Sequence, residues 1–216
     1  MDIILASSSP RRRELLASAQ LDFSTLNVDI DETPYDNESP KDYIERMVAT
    51  KAKAAIQQLN DLLQTNKDNF SEPLIVLTSD TIGVLPDGRT VLVKPMDREH
   101  AYSMWQQMSD SVHEVWTAVQ ATQVALRPKL AQTPNHKQTL QVVKQQQITE
   151  RTEVTFIPLT AAMMSDYWDS GEPADKAGGY GIQGLGAAWV SRINGSYTNV
   201  VGLPLAQTVA LIKEMR

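Results

Sequence analysis

Glycine is spread through this chain so unevenly that it singles out one segment. Eight of the ten glycines fall between Gly171 and Gly202, and residues 1–82 contain none. Glycine reaches positive φ and permits close backbone approach, so such a cluster marks a shaped loop rather than a packed element. The run Asp175-Lys-Ala-Gly-Gly-Tyr-Gly-Ile-Gln-Gly184 also carries an acid, a cation (Lys176) and a carboxamide (Gln183). Glycines alone would fit a tight connector between strands. The polar residues among them favour a loop that holds a polar ligand.

The beginning of the chain matches that ending. Ile3-Ile-Leu-Ala-Ser7 is a short apolar strand that runs at once into Ser8-Ser-Pro-Arg-Arg-Arg-Glu-Leu-Leu16. Ser9 suits an N-cap and Pro10 the first helical position. Free N–H groups, the hydroxyls of Ser7 and Ser9 and the positive end of the helix dipole together favour an anion. Arg11 to Arg13 add cations, though three consecutive helical residues cannot all face one way.

Among the acids, Asp80 directly follows the apolar run Leu74 to Leu77, at the expected C-terminal end of a parallel strand. Ligands gather at such strand ends in open α/β sheets. Ser79 and Thr81 flank it with hydroxyls. Asp80 is therefore read as a site residue, and Asp31, which also follows a strand, as a solvated turn acid. A lone desolvated carboxylate is costly, so Asp80→Asn is expected to keep or raise stability. Lys94, beside Pro95, is a candidate cation, whereas Lys51 and Lys53 fit equally well on the polar face of a helix. His100, His113 and His136 show no metal-ligand spacing. Trp105, Trp116, Trp168 and Trp189 read as core, and Tyr180 either as loop packing or as a neighbour of a nucleobase.

The pattern alternates strands and helices, which makes the fold class α/β. Strands are expected at Phe23–Ile30, Leu74–Thr78, Val112–Ala125, Val154–Leu159 and Ala187–Ile193. Helices are expected at Pro40–Gln58, from an Asp97 cap to Met108, at Thr160–Asp169 and at Leu203–Met215. The stretch Gln120 to Gln147 holds eight glutamines, Pro128 and Pro134. It reads as an extended hairpin or a mobile loop without chemistry of its own. A net charge of −6 argues against broad nucleic-acid binding, which needs a basic face. No apolar run approaches the ~20 residues needed to span a bilayer, so no membrane association is expected. The absence of cysteine excludes disulfides and thiolate chemistry. With no signal-peptide pattern at the N-terminus, the cytoplasm is the expected compartment.

Five blocks taken in order resemble the Maf family of nucleoside triphosphate pyrophosphatases. They are Ser7-x-Ser9-Pro-Arg-Arg-x-x-Leu-Leu16, Ser79-Asp-Thr81, Lys94-Pro95, Asp175 to Gly184, and Gly195-Ser-Tyr-x-x-Val-Val-Gly-Leu-Pro204. The resemblance runs from Ile3 to about Leu211. The glycine run is similar to the branch that acts on dTTP and UTP, and the 7-methyl-GTP branch reads differently there. The resemblance implies a single domain over 1–216 with an insert at about 120–147. It implies an elongated mixed sheet with flanking helices, two lobes around a central cleft, similar to inosine triphosphate pyrophosphatases. A homodimer is common in that family.

For the chemistry, the resemblance implies conversion of the triphosphate to monophosphate and pyrophosphate, a housecleaning of the nucleotide pool. Asp80 becomes the general base and Glu32 a metal or water partner, the two carboxylates holding Mg²⁺ or Mn²⁺. Lys51, Lys94 and Arg11 contact phosphates, with Lys176 beside them. Gln183, Thr81 and Arg11 match positions tied to substrate specificity. A carboxamide can pair with the N–H and a neighbouring carbonyl of uracil or thymine together, whereas cytosine leaves partners unmatched. Two rivals remain. A sugar-nucleotide nucleotidyltransferase would need a glycine-rich N-terminal loop, and the first glycine here is Gly83. A non-catalytic regulator of cell division would not need Glu32, Lys51, Asp80 and Lys94 together, whereas a dual role, regulation beside catalysis, stays open.

Overall fold

A computed structural model describes residues 1–65, 73–127 and 139–216. Strand β1 (Ile3–Ala6) leads into helix α1 (Pro10–Ser18), where the Ser9 side chain accepts from the Arg12 amide and Pro10 occupies the first turn. Strand β2 (Ser24–Leu26) is shorter than the Phe23–Ile30 expected from alternation. Among the described residues its only partner is four-residue β1, and the register ends at Ala6 opposite Leu26. Helix α2 (Pro40–Thr65) buries Ile44, Met47, Val48, Ala52, Ala55 and Leu59 at helical spacing. There follow β3 (Leu74–Val84), β4 (Val91–Leu92), α3 (Arg98–Met108), β5 (Val112–Leu126), β6 (Leu140–Phe156) and α4 (Ala161–Asp169). The glycine segment forms short 3₁₀ turns at 172–175, 177–179 and 185–189, then β7 (Val190–Asn194), α5 (Tyr197–Val201) and α6 (Leu205–Glu214).

The strands form one mixed seven-stranded sheet in the order β2-β1-β3-β5-β6-β7, with β4 on β3. Strand β1 lies parallel to both neighbours, and the remaining pairings are antiparallel. Side-chain alternation splits β1 and β3 between two cores. Ile3, Leu5, Ile75 and Leu77 pack with Leu16 of α1 and with Leu211 and Ile212 of α6. Ile4, Ala6, Leu74 and Val76 pack with Ala55 and Leu59 of α2. Both faces are thus covered, which is why these strands read as unbroken apolar runs. A third core gathers Trp105, Phe156, Tyr167 and Trp189 under the glycine segment.

One further boundary changes. Strand β3 does not end near Asp80 but continues to Val84, because β5 pairs it along its whole length. What ends there is β1, whose last paired residue opposite β3 is Leu5, facing Leu77. Of the two readings of the glutamine-rich stretch, the described residues support the extended hairpin: β5 and β6 pair from Val112↔Thr155 to Leu126↔Leu140, with a register shift at Gln123/Val124. Strand β6 shows little apolar periodicity because residues 141–151 are exposed or half-buried, and ladder bonds to β5 hold them. Residues 128–138, with Pro128, Pro134 and His136, lie outside the described residues. Among the described residues no helix is long and apolar enough to cross a membrane.

Candidate active site

Where β1 stops and β3 runs on, the sheet opens a cleft of about 1190 Å³. Its first wall is the β1–α1 junction, with Ser7, Ser9 and Arg11. Ser7 Oγ accepts from the Ser9 amide at 3.2 Å, which closes this turn. The floor is Asp80 and Thr81 of β3. Lys51 of α2 and Glu32 of the preceding loop form the second wall, and Lys94, Lys176 and Gln183 the third. The residues to which the family resemblance gives a role in catalysis or binding thus border one cleft.

Lys51 is the centre of charge. Its Nζ lies 2.6 Å from Asp80 Oδ1 and 2.8 Å from Glu32 Oε1. Both lysines fit the polar face of a helix from the sequence, but only Lys53 lies there: Lys51 is 9% exposed and faces the sheet. Thr78 Oγ1 donates to Val48 O at 2.9 Å, pinning α2 to β3 one turn before Lys51. Tyr43 OH donates to Glu32 O at 2.9 Å. Arg46 reinforces the Glu32 loop through Glu38 (2.5 and 2.6 Å) and Thr33 O (3.0 Å). Partial burial raises the Glu32 carboxyl, but the hydrogen bond and charge of Lys51, with Lys94 and Arg12 behind it, outweigh this and hold it below the usual range. Burial and the charges of Asp80 and Glu32 push the Tyr43 phenol up to about 12.

The three arginines divide as their helical phases dictate. Arg11 lines the cleft and Arg13 is exposed. Arg12, on the same face as buried Leu16, turns inward: Nε donates to Gly202 O (2.9 Å), Nη1 to Ser79 O (2.9 Å) and Nη2 to Thr81 Oγ1 (3.1 Å). It ties α1, β3 and the turn after α5 around Asp80. Sequence reasoning passed over Arg12, although its four-residue spacing from Leu16 was a usable signal. Thr81 is correspondingly engaged, meeting Thr117 Oγ1 at 3.0 Å as well.

On the glycine side, Lys176 Nζ donates to Glu172 O at 2.6 Å and Gln183 is exposed at the cleft rim. Tyr180 borders the cleft but is packed against Phe156, with its hydroxyl 2.7 Å from Nε2 of buried His113. Of the two readings left open for Tyr180, loop packing is the one the contacts support. His113, silent in the sequence, is a core residue that burial holds neutral, with its pKa lowered to about 4. Trp105, Trp116 and Trp189 are core as expected and half-buried Trp168 packs against it, and Trp105 Nε1 donates to Gly178 O at 3.1 Å, anchoring the loop. Gly178 and Gly179 both take positive φ there.

A mixed α/β fold whose cleft joins a helix N-terminus, several cations and two carboxylates sharing one ammonium belongs to the phosphate-handling enzymes. The model of the family described as Maf-like protein matches residues 2–215, and the chain belongs to that family. It is 73% identical over 220 residues to a dTTP/UTP pyrophosphatase of Psychrobacter cryohalolentis, covering 100% of this chain and 97% of that one. Its identity to the dTTP/UTP pyrophosphatase of Psychrobacter arcticus is 71%, covering 100% and 95%. With the protein of the same name from Hahella chejuensis it is 39%, covering 98% and 91%.

Proposed function

We propose that this cleft hydrolyses dTTP and UTP to the monophosphate and pyrophosphate. The observation that carries the chemistry is the Lys51 ammonium held between Asp80 and Glu32 at the floor of the cleft. The names of the relatives supply the nucleotide class. Asp80 takes the proton of a water whose oxygen bonds to the α phosphorus. The bond from that phosphorus to the bridging oxygen breaks, and pyrophosphate leaves. Lys51, Lys94, Arg11 and Lys176 neutralise phosphate oxygens, and the Ser7–Ser9 turn offers N–H and hydroxyl donors to the same groups. In this reading Gln183, Thr81 and Arg11 govern base choice, as the family resemblance implies.

Two carboxylates that converge on one ammonium can also share a divalent cation, and their hard oxygens suit Mg²⁺ or Mn²⁺. Among the described residues no group of three or more His, Cys, Asp or Glu gathers. That suits a cation held by one or two carboxylates and completed by substrate phosphates and water. When bound, it would supply charge neutralisation at the phosphates, with Glu32 and Asp80 as its protein ligands. A homodimer and a cytoplasmic setting belong to the same reading and rest on the family likeness and composition. Pyrophosphate release measured across dTTP, UTP, CTP, ATP, GTP and 7-methyl-GTP tests the proposal. Turnover concentrated on dTTP and UTP supports it, and turnover of none refutes it.

A further inference from the structure

Glu172 is an acidic side chain bordering the cleft that the chemistry above does not use. Its carboxylate is occupied by three donors. Oε1 accepts from Tyr167 OH (2.7 Å) and Gly186 N (3.3 Å), and Oε2 from Leu185 N (2.8 Å). Tyr167 OH in turn accepts from Gly181 N at 3.1 Å. The segment Ile182-Gln183-Gly184 is therefore stapled on both sides, through Tyr167 at Gly181 and directly at Leu185 and Gly186. Gly184 lies under the staple: a Cβ there would land on the Glu172 carboxylate, although the backbone (φ −120°, ψ −152°) is open to any residue. The space at Gly184 thus accommodates the carboxylate rather than a turn.

We infer that Glu172, acting with Tyr167, is a positioning residue that sets base specificity by fixing the backbone on either side of Gln183. An acceptor-only group is needed, because donors occupy both oxygens; an amide at 172 would turn an N–H₂ toward one of them. An exposed carboxamide distinguishes an imide edge from an amino-pyrimidine edge only if its own backbone is held still, since each degree of freedom weakens the paired geometry. The inference rests on the reading that Gln183 recognises the base.

The test compares kcat/KM for UTP and CTP in the intact protein and in Gln183→Ala, Glu172→Gln, Tyr167→Phe and Gly184→Ala. Gly184→Ala reaches the staple independently, by pushing the flexible Glu172 carboxylate off its donors. Each staple variant is expected to lower kcat/KM for UTP about tenfold, with a much smaller loss for CTP, as removal of one part-buried hydrogen bond to a charged group implies. Glu172→Gln combined with Gln183→Ala should narrow the UTP preference less than the product of the two single effects. If Gln183→Ala leaves the preference intact, the reading of Gln183 falls. If Gln183→Ala narrows it while the staple variants leave it intact, or lower both nucleotides equally, the role assigned to Glu172 is overturned. Should Glu172→Gln not fold, Tyr167→Phe and Gly184→Ala decide the same question.

Discussion

Asp80 shares the Lys51 ammonium with Glu32, so Asp80→Asn removes a charge from the chemistry and from the packing together. The general-base contribution alone predicts a fall in kcat of ~10²-fold or more. The sequence-based expectation that stability would hold or rise is revised, because the carboxylate is not alone. Lys51 keeps Glu32 as its counter-charge and an amide oxygen in place of the Asp80 carboxylate, and a loss of about 1–3 kcal/mol is expected in urea unfolding, short of the full cost of an orphaned buried charge. Normal turnover by folded Asp80→Asn would move the chemistry elsewhere. His113 gives a second residue-scale prediction. Its pKa is lowered to about 4 by burial, against ~6.5 for an unfolded histidine. Between those values the unfolded chain binds the extra proton, so stability is complete above ~6.5 and declines as pH falls toward 4. Its share of the loss is about 1.4 kcal/mol by pH 5.5. His113→Gln should flatten that slope while lowering stability at pH 7.5. An unchanged slope would mean that other groups govern the acid limb.

At the scale of elements, the β5–β6 hairpin shows how an edge can be misplaced without misreading the segment. A linker replacing Arg127 to Gln141 looks harmless from composition. Leu140, however, is buried in the α2-side core, its amide donates to Asn60 Oδ1 at 2.7 Å, and Arg127 N donates to Thr139 O at 2.8 Å. Removing Leu140 should cost about 2–5 kcal/mol, as other large-to-small core changes do. Because Arg127 and Thr139 already sit across the ladder, a short Gly-Asn turn in place of 128–138 should close the hairpin. That variant is expected to keep kcat and melting temperature close to those of the intact chain. A collapse of activity in the folded variant would give residues 128–138 a function not assigned to them above. Helix α2 serves both purposes at once: Ala55 and Leu59 fill the core while Lys51, a turn earlier, faces the cleft.

At the scale of the whole molecule, the cleft exists because the β1–α1 junction, β3, α2 and the glycine segment meet where β1 ends. The charges assembled there predict that excess EDTA abolishes pyrophosphate release and that Mg²⁺ or Mn²⁺ restores it. Undiminished hydrolysis in chelator would overturn the metal's place in the reaction and leave the fold untouched.

The alternating strands and helices, the Ser9 and Asp97 caps and the glycine segment were legible in the sequence, because periodicity, capping and positive φ are local properties. So was the family, through five motif blocks in order. Boundaries set by a partner were not. Strand β2 stops where β1 stops, β3 continues because β5 lies beside it, and β6 begins early because ladder bonds need no apolar pattern. The same holds for charge. Helical phase hints that Arg12 faces inward, but nothing near Lys51, Arg12 or Glu172 in the chain names the partner each one meets. Only the tertiary structure brings Lys51 to Asp80, Arg12 to Gly202 and Glu172 to Leu185, because hydrogen bonds and ion pairs act over a few ångströms between residues the chain holds far apart.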